Sequence, residues 1–263
     1  MGLPRSSSLL TRATLSTLLP ALCLGARAMS GASGAHELKR LGGGTLVLEP
    51  RSGASSTVIF MHGLGDSAQG WVDTVAGAFA PALRATRFVL LTAPTRPITV
   101  NGGMRMPGWY DITSFDRDSM INGPEAEGLS ASRARVHAAI AAEAAAGVPA
   151  ARVVLGGFSQ GGALSLDAGL SAPETLAGIL CLSGYLAFPG GLAPSPAAAL
   201  TPVLMLHGEE DPLVLPAFGA ASADRIRAVG VKDVTLKTYP DLPHSVNDEE
   251  LADALRFLRE RLK

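Results

Sequence analysis

Gly157-Phe158-Ser159-Gln160-Gly161 sets a serine between two glycines, directly after the apolar run Arg152-Val153-Val154-Leu155 and directly before a helix-forming run from Gly161 to Leu170. A serine hydroxyl attacks a carbonyl effectively only when a base takes its proton. The G-x-S-x-G spacing matches the nucleophile elbow, a strand-to-helix turn whose glycines let the serine adopt a positive φ and let neighbours approach closely. In a chain with 30 glycines the pattern alone is weak. Its flanks give it weight, because the amides at the start of the following helix favour negative charge developing beside Ser159.

The base is sought among five histidines. His36 lies in the N-terminal tail, and His137 flanks the apolar face of a helical stretch. His62 and His207 end strand-like runs before glycines, where they shape loops. His244, in Leu242-Pro243-His244-Ser245, falls between the run Val234–Tyr239 and the last helix, downstream of Ser159. A histidine there can take the serine proton and return it to a leaving group. The acid that orients it is sought among Glu209, Glu210 and Asp211, all beyond the run Val203–Leu206. Asp211-Pro212 begins the turn past the strand, so Asp211 is preferred. The order Ser159, Asp211, His244 is that of α/β-hydrolases. Two N–H donors must also hold an oxyanion. One belongs to Gln160, the residue after the nucleophile, and the other to Leu64 in His62-Gly63-Leu64-Gly65-Asp66, the Gly-rich turn after Val58–Met61.

These residues need a scaffold. Val58–Met61, Phe88–Leu91, Arg152–Leu155, Gly178–Leu182 and Val203–Leu206 are continuous apolar runs, as in strands buried on both faces. Helical patterns lie between them at Trp71–Leu83, Ser130–Ala146, Gly161–Leu170 and Pro216–Val229. A last helix carries Leu251, Leu255, Leu258 and Leu262, and Asn247 with Glu250 resembles a capping box at its start. The alternation predicts an α/β fold with a mainly parallel central sheet flanked by helices on both faces. Pro94 to Ser130 shows no periodicity and is read as a functional loop, a lid or substrate wall. Trp109 and Tyr110 at its centre are read as exposed substrate-binding aromatics, with loop anchoring as the alternative.

With 263 residues, 47% of them hydrophobic and 17% charged, the chain has material for one large core. A net charge of −1 and only 5% aromatics argue against a nucleic-acid partner. Two cysteines, Cys23 and Cys181, exclude a disulfide framework and a zinc site built on paired cysteines. Residues 1–36 differ in kind: Arg5, Arg12 and Arg27, many hydroxyls and no acid. They are read as a leader, of transit-peptide type, of signal type through the apolar run Ala13–Ala26, or untranslated with Met29 as the start. Residues 37–263 are read as the folded domain. Ala13–Ala26 is too short to span a bilayer, so any membrane contact would be peripheral. The composition says nothing of oligomeric state.

Five segments carry a family likeness: Phe60-Met61-His62-Gly63-Leu64-Gly65-Asp66, Pro107-Gly108-Trp109-Tyr110-Asp111-Ile112, Gly156-Gly157-Phe158-Ser159-Gln160-Gly161-Gly162-Ala163, His207-Gly208-Glu209-Glu210-Asp211-Pro212-Leu213-Val214 and His244-Ser245. From about Gly43 to its end the chain resembles the acyl-protein thioesterase and lysophospholipase (phospholipase/carboxylesterase) family of α/β-hydrolases. The resemblance implies Ser159 as nucleophile, Asp211 as acid, His244 as base, and Leu64 and Gln160 as oxyanion donors. It implies hydrolysis of long-chain acyl thioesters on protein cysteines, of lysophospholipids or of small esters, without cofactor or metal. It also implies a cytoplasmic location, against an organelle (mitochondrion or plastid) if residues 1–36 are a transit peptide. Asp167 and Tyr185–Pro194 depart from the family pattern, which bears on acyl-chain preference. Two rivals stand beside this expectation: a generalist short-chain carboxylesterase sharing every catalytic residue, and a hydrolase-like fold that binds an acyl ligand without turnover.

Overall fold

The apolar runs pair edge to edge into one eight-stranded sheet in the computed structural model, which describes residues 34–263. The leader expected over residues 1–36 therefore lies outside the described residues except for its last three. His36, read as tail, opens the first strand: it is buried, and its ring bonds the Thr86 carbonyl at 2.8 Å. The strands are β1 (His36–Arg40), β2 (Leu46–Pro50), β3 (Ser56–Met61), β4 (Thr86–Leu91), β5 (Thr95–Ile98), β6 (Met104–Pro107), β7 (Val153–Phe158), β8 (Gly178–Leu182), β9 (Val203–Gly208) and β10 (Val234–Tyr239). The helices are α1 (Ala68–Thr74), α2 (Arg117–Asn122), α3 (Leu129–Ala145), α4 (Gln160–Leu170), α5 (Pro216–Ala228) and α6 (Asp248–Arg261). The sheet runs β1-β2-β4-β3-β7-β8-β9-β10, antiparallel at β1, β2 and β4 and parallel from β4 through β10.

Alternate strand residues feed opposite faces, as the two-residue period requires. Val58 and Phe60 pack with Trp71, Val72, Val75 and Phe79, and with Phe257 and Leu258 of α6. Ile59 and Met61 pack on the other face with Trp109, with Leu129, Val136 and Ile140 of α3, and with Leu164 of α4. Beyond them, Ile179, Cys181, Val203 and Met205 meet Leu166 and Leu170 of α4 and Ile226 of α5. Burial pushes the Cys181 thiol up to about 12, so it packs as an apolar group.

Three expectations need correction. The helix expected over Trp71–Leu83 stops at Thr74 and continues as a π turn over Val75–Phe79, closed by Ala80 N–H on the Val75 carbonyl. Pro81 prevents its extension. The stretch from Pro94 to Ser130 is structured: β5 and β6 form a hairpin across Gly102 and Gly103, both at positive φ, and Asp116 caps α2 through Ser119 N–H. The capping box on α6 is half made. Asn247 Oδ1 accepts from Glu250 N–H at 2.8 Å, but the Glu250 carboxyl accepts no hydrogen bond from the Asn247 N–H in return.

The register aligns the strand ends. Met61 stands opposite Gly157, Phe158 opposite Leu182, Leu182 opposite Leu206, and Gly208 opposite Tyr239. The turns that leave β3, β7, β9 and β10 therefore emerge at one edge of the sheet, the edge where open parallel sheets bind ligands.

Candidate active site

Those four turns carry Leu64, Ser159, Asp211 and His244. Ser159 is held at φ 55°, ψ −120°, between strand and helix. Positive φ strains a residue with a side chain, and the surroundings keep it there. Its N–H donates to the Leu182 carbonyl and its carbonyl accepts from Ala163 N–H. The flanking glycines are required by contact. A Cβ on Gly157 would overlap the Gly161 carbonyl, and one on Gly161 would overlap the carbonyls of Met61 and His62. The start of α4 thus lies directly on the end of β3. Gly63 extends the same packing, since its Cβ would sit 3.4 Å from that of Ser159.

The Ser159 hydroxyl lies 2.9 Å from His244 Nε2, and His244 Nδ1 lies 2.6 Å from Asp211 Oδ2. Asp211 Oδ1 accepts from the N–H groups of Leu213 and Val214, each at 2.9 Å. Burial pushes the Asp211 carboxyl up, but hydrogen bonds from His207 and His244 and the charge of His244 outweigh it. The carboxyl is held well below the usual carboxylate range. An ionised Asp211 accepts a hydrogen bond from Nδ1–H and leaves Nε2 free to accept from the serine. The rejected candidates differ: Glu209 accepts from the Thr238 hydroxyl at the surface, and Glu210 is exposed.

His244 sits on a turn bound to the turn of Asp211. Glu210 N–H donates to the Leu242 carbonyl, and a Cβ on Gly208 would overlap that carbonyl. Phe158, one residue before Ser159, packs on the His244 ring at 4.8 Å between centroids and on Trp71 at 5.3 Å, while Trp71 meets Phe60 at 4.7 Å. This aromatic file fixes the plane of the imidazole. Sequence reasoning missed Phe158; its place in the variable position of the motif was the available signal.

The N–H groups of Leu64 and Gln160 bond no other group among the described residues. His62 shapes the loop that presents Leu64. Its Nε2 accepts from Ala93 N–H at 2.9 Å, so Nδ1 carries the proton donated to the Gly63 carbonyl at 2.6 Å. Burial holds the His62 pKa low, in keeping with a neutral ring in that tautomer. His207 is likewise tied, to the Val214 carbonyl at 2.8 Å, and also lies 3.5 Å from Asp211 Oδ2.

Trp109 and Tyr110 are not exposed: they keep 0% and 2% of their accessible surface. The Trp109 indole donates to the His62 carbonyl at 2.8 Å, and the Tyr110 hydroxyl meets that of Tyr185 at 2.9 Å. A buried indole N–H and a buried phenol need partners, and the partners here lie across the core. These residues anchor the loop, as in the alternative reading. Gln160 completes the anchor from the helix start. Its Oε1 accepts from Trp109 N–H at 2.9 Å and its Nε2 donates to the Tyr110 carbonyl at 2.7 Å. Among the described residues no cluster of three His, Cys, Asp or Glu side chains could hold a metal ion.

This geometry has close relatives. Acyl-protein thioesterase 1 of Gibberella zeae is 44% identical over 224 residues, covering 82% of this chain and 95% of that protein. The protein of the same name from Neurospora crassa is 42% identical over 215 residues, covering 79% and 87%. Among solved structures, SOBER1 of Arabidopsis thaliana superposes with a TM-score of 0.73 at 32% identity, covering 79% of this chain and 99% of that one. Acyl-protein thioesterase 2 of Zea mays gives 0.72 at 28% identity, covering 83% and 99%. The phospholipase/carboxylesterase family model matches residues 43–262, and with the elbow, the strand-end turns and these relatives in view, the chain belongs to that family of α/β-hydrolases.

Proposed function

We propose that the chain is a serine hydrolase that cleaves acyl thioesters and esters through an acyl-enzyme, acting as an acyl-protein thioesterase with lysophospholipase and carboxylesterase activity. The observation that carries the reading is the unbroken line Ser159–His244–Asp211, at 2.9 and 2.6 Å, beside two uncommitted backbone N–H groups. Ser159 Oγ attacks the acyl carbonyl as its proton passes to His244 Nε2. The N–H groups of Leu64 and Gln160 hold the oxyanion, with a donor of this kind contributing ~3 kcal/mol to the transition state. His244, as imidazolium beside Asp211, protonates the departing thiol or alcohol. Water deprotonated by the same ring then frees the fatty acid.

The relatives named acyl-protein thioesterase 1 support S-acylated proteins as the substrate class. The turns of the site also carry apolar side chains, with Leu213 and Leu215 exposed just beyond Asp211 and Leu64 half-buried on the oxyanion loop. No helix among the described residues is long and apolar enough to cross a membrane. Contact with a bilayer holding such substrates would then be made at the surface of the fold. The test compares the full chain with its Ser159→Ala variant on a palmitoyl-thioester peptide, a lysophospholipid and a short ester. Palmitoyl turnover falling by ~10⁴ or more in the variant is expected. Equal rates in the two proteins would refute the mechanism, and serine-dependent short-ester activity alone would make the chain a generalist carboxylesterase.

A further inference from the structure

Glu250 stands at the first turn of α6, six residues after His244, with none of its surface accessible. Both of its carboxyl oxygens are enclosed and find no hydrogen-bond partner among the described residues; the Asn247 N–H faces them without completing a bond. Asp211, within electrostatic reach of Glu250, is in the opposite situation, with two backbone N–H groups and the His244 ring donating to it. A carboxylate without donors is costly to bury, and a second anion beside Asp211 adds repulsion. Two neighbouring carboxyls in unlike surroundings take unlike charge states.

We infer that Glu250 is a positioning residue of the active site, kept as the neutral acid so that Asp211 is the lone anion behind His244, and that its ionisation strengthens His244 as a base. The groups around it leave no other way to neutralise it. From β9 and its turn comes Asp211, already bonded to His244 and close to His207. From β8 comes the buried Cys181 thiol, and from β10 the Tyr239 phenol, which donates to Asp253. The π turn Val75–Phe79 packed on α6 has no titratable side chain. On α6 itself, Asp248 and Glu249 are exposed, and Asp253 is paired with Lys237 and Arg256. No lysine or arginine among the described residues faces the Glu250 carboxyl. Burial, with the Asp211 charge added, pushes that carboxyl from its ordinary 4.5 up to about 8, against the weaker pull of the Asn247 N–H.

The folded protein therefore holds a proton that the unfolded chain has released, across the range from about 4.5 to about 8. Stability falls as pH rises through that range and is level above it. Glu250→Gln keeps the shape and neutrality of the acid but cannot ionise. Relative to wild type, its melting temperature should rise from pH 5 to about pH 8 and then hold that margin. A difference between the two that does not change with pH would show a packing role only and overturn the inference.

The functional readout is kcat/KM from pH 6 to 10 for the full chain and its Glu250→Gln variant on a water-soluble short ester. The two should agree within about twofold at pH 6.5, where both carry a neutral group. The ratio of wild type to variant should then climb ~3-fold around the Glu250 ionisation, over whatever rise the two profiles share, as expected when a stronger base works in the same geometry. Parallel profiles, or a variant more than ~10-fold slower at pH 6.5, would overturn it. Should the variant fail to fold, infrared spectra of the wild type decide. A carboxylic-acid C=O band at pH 6.5 that vanishes with a midpoint about 8 is expected, and its absence at pH 6.5 would overturn the inference. The positioning role rests on the hydrolase reading. A wild type without turnover would sink both, and the infrared band would separate that failure from a wrong charge state.

Discussion

The strand-end turns and the long connection from Pro94 to Gly128 both border Ser159, but they are fixed by different forces. The turns are fixed by backbone against backbone. Gly157, Gly161 and Gly208 lie where a single Cβ would overlap a carbonyl, so the elbow and the paired acid and base turns tolerate little movement. The connection is fixed by side chains reaching across the core. Gln160 bonds both Trp109 N–H and the Tyr110 carbonyl, and Trp109 reaches the His62 carbonyl; within the connection, at its surface, Asp111 accepts from Thr99 N–H and hydroxyl at 2.7 and 2.6 Å. Rigid turns suit the charge transfer, which depends on placement to a fraction of an ångström. A connection held by separable polar contacts suits the wall of a substrate site, where sequence can vary without disturbing the reacting atoms.

The contrast is broken most directly at the turns. Asp211→Asn should leave the fold intact while kcat falls by about 10⁴-fold, because an amide facing Nδ1 traps the tautomer whose Nε2 already bears a proton. Steady-state kinetics with a thermal melt checks both halves, and a loss under tenfold would remove Asp211 from its role. Gly161→Ala should act on structure: forcing α4 away from β3 costs on the order of 3 kcal/mol, read by urea denaturation, with activity lost in proportion. On the connection the effect should be milder. Gln160→Ala keeps the backbone N–H proposed to hold the oxyanion but releases Trp109 and Tyr110. A loss of roughly 10–100-fold in kcat/KM is expected, with kcat affected less than KM if the connection forms the substrate wall.

The same division decides what could be read from the sequence. Ser159, Asp211 and His244 stand out because steric demands write glycines and turn residues at fixed offsets beside them. The central strands stand out because burial on both faces makes them continuously apolar. β1, His36-Glu37-Leu38-Lys39-Arg40, buries only its first residue, and its edge position leaves no apolar pattern to find. β5 and β6 are four residues each and contain Pro97 and Pro107, which read as loop. The burial of Trp109 and Tyr110 was invisible because their partners, His62 and Tyr185, lie 47 and 75 residues away. Glu250 was read as half of a capping box, since a local pattern cannot show that the tertiary fold turns its carboxyl inward.

Asp167 offers the smallest and cleanest test of how distant contacts replace local rules. In the helix after the elbow it was read from the sequence as a departure from the family pattern that would bear on acyl-chain preference. It is instead matched by Arg133 of α3, whose Nε and Nη2 donate to its two oxygens at 2.6 and 3.0 Å; Arg133 also reaches Glu125 at 2.9 Å. Burial holds the Asp167 carboxyl above its ordinary value, and Arg133 works against that rise. Arg133→Met should therefore destabilise the protein by about 1 kcal/mol at neutral pH, because a nearly buried carboxylate loses its partner. A carboxyl with a raised folded pKa loses stability as pH climbs past its unfolded value, so the deficit should shrink toward pH 4 as Asp167 takes up a proton. Asp167→Leu in the same background should restore most of the stability by replacing the stranded charge with apolar packing. Neither change should alter hydrolysis of a short ester by more than about twofold, since neither touches the turns. A larger change in rate would mean that α3 and α4 transmit strain to Ser159, and that the two kinds of region are not independent.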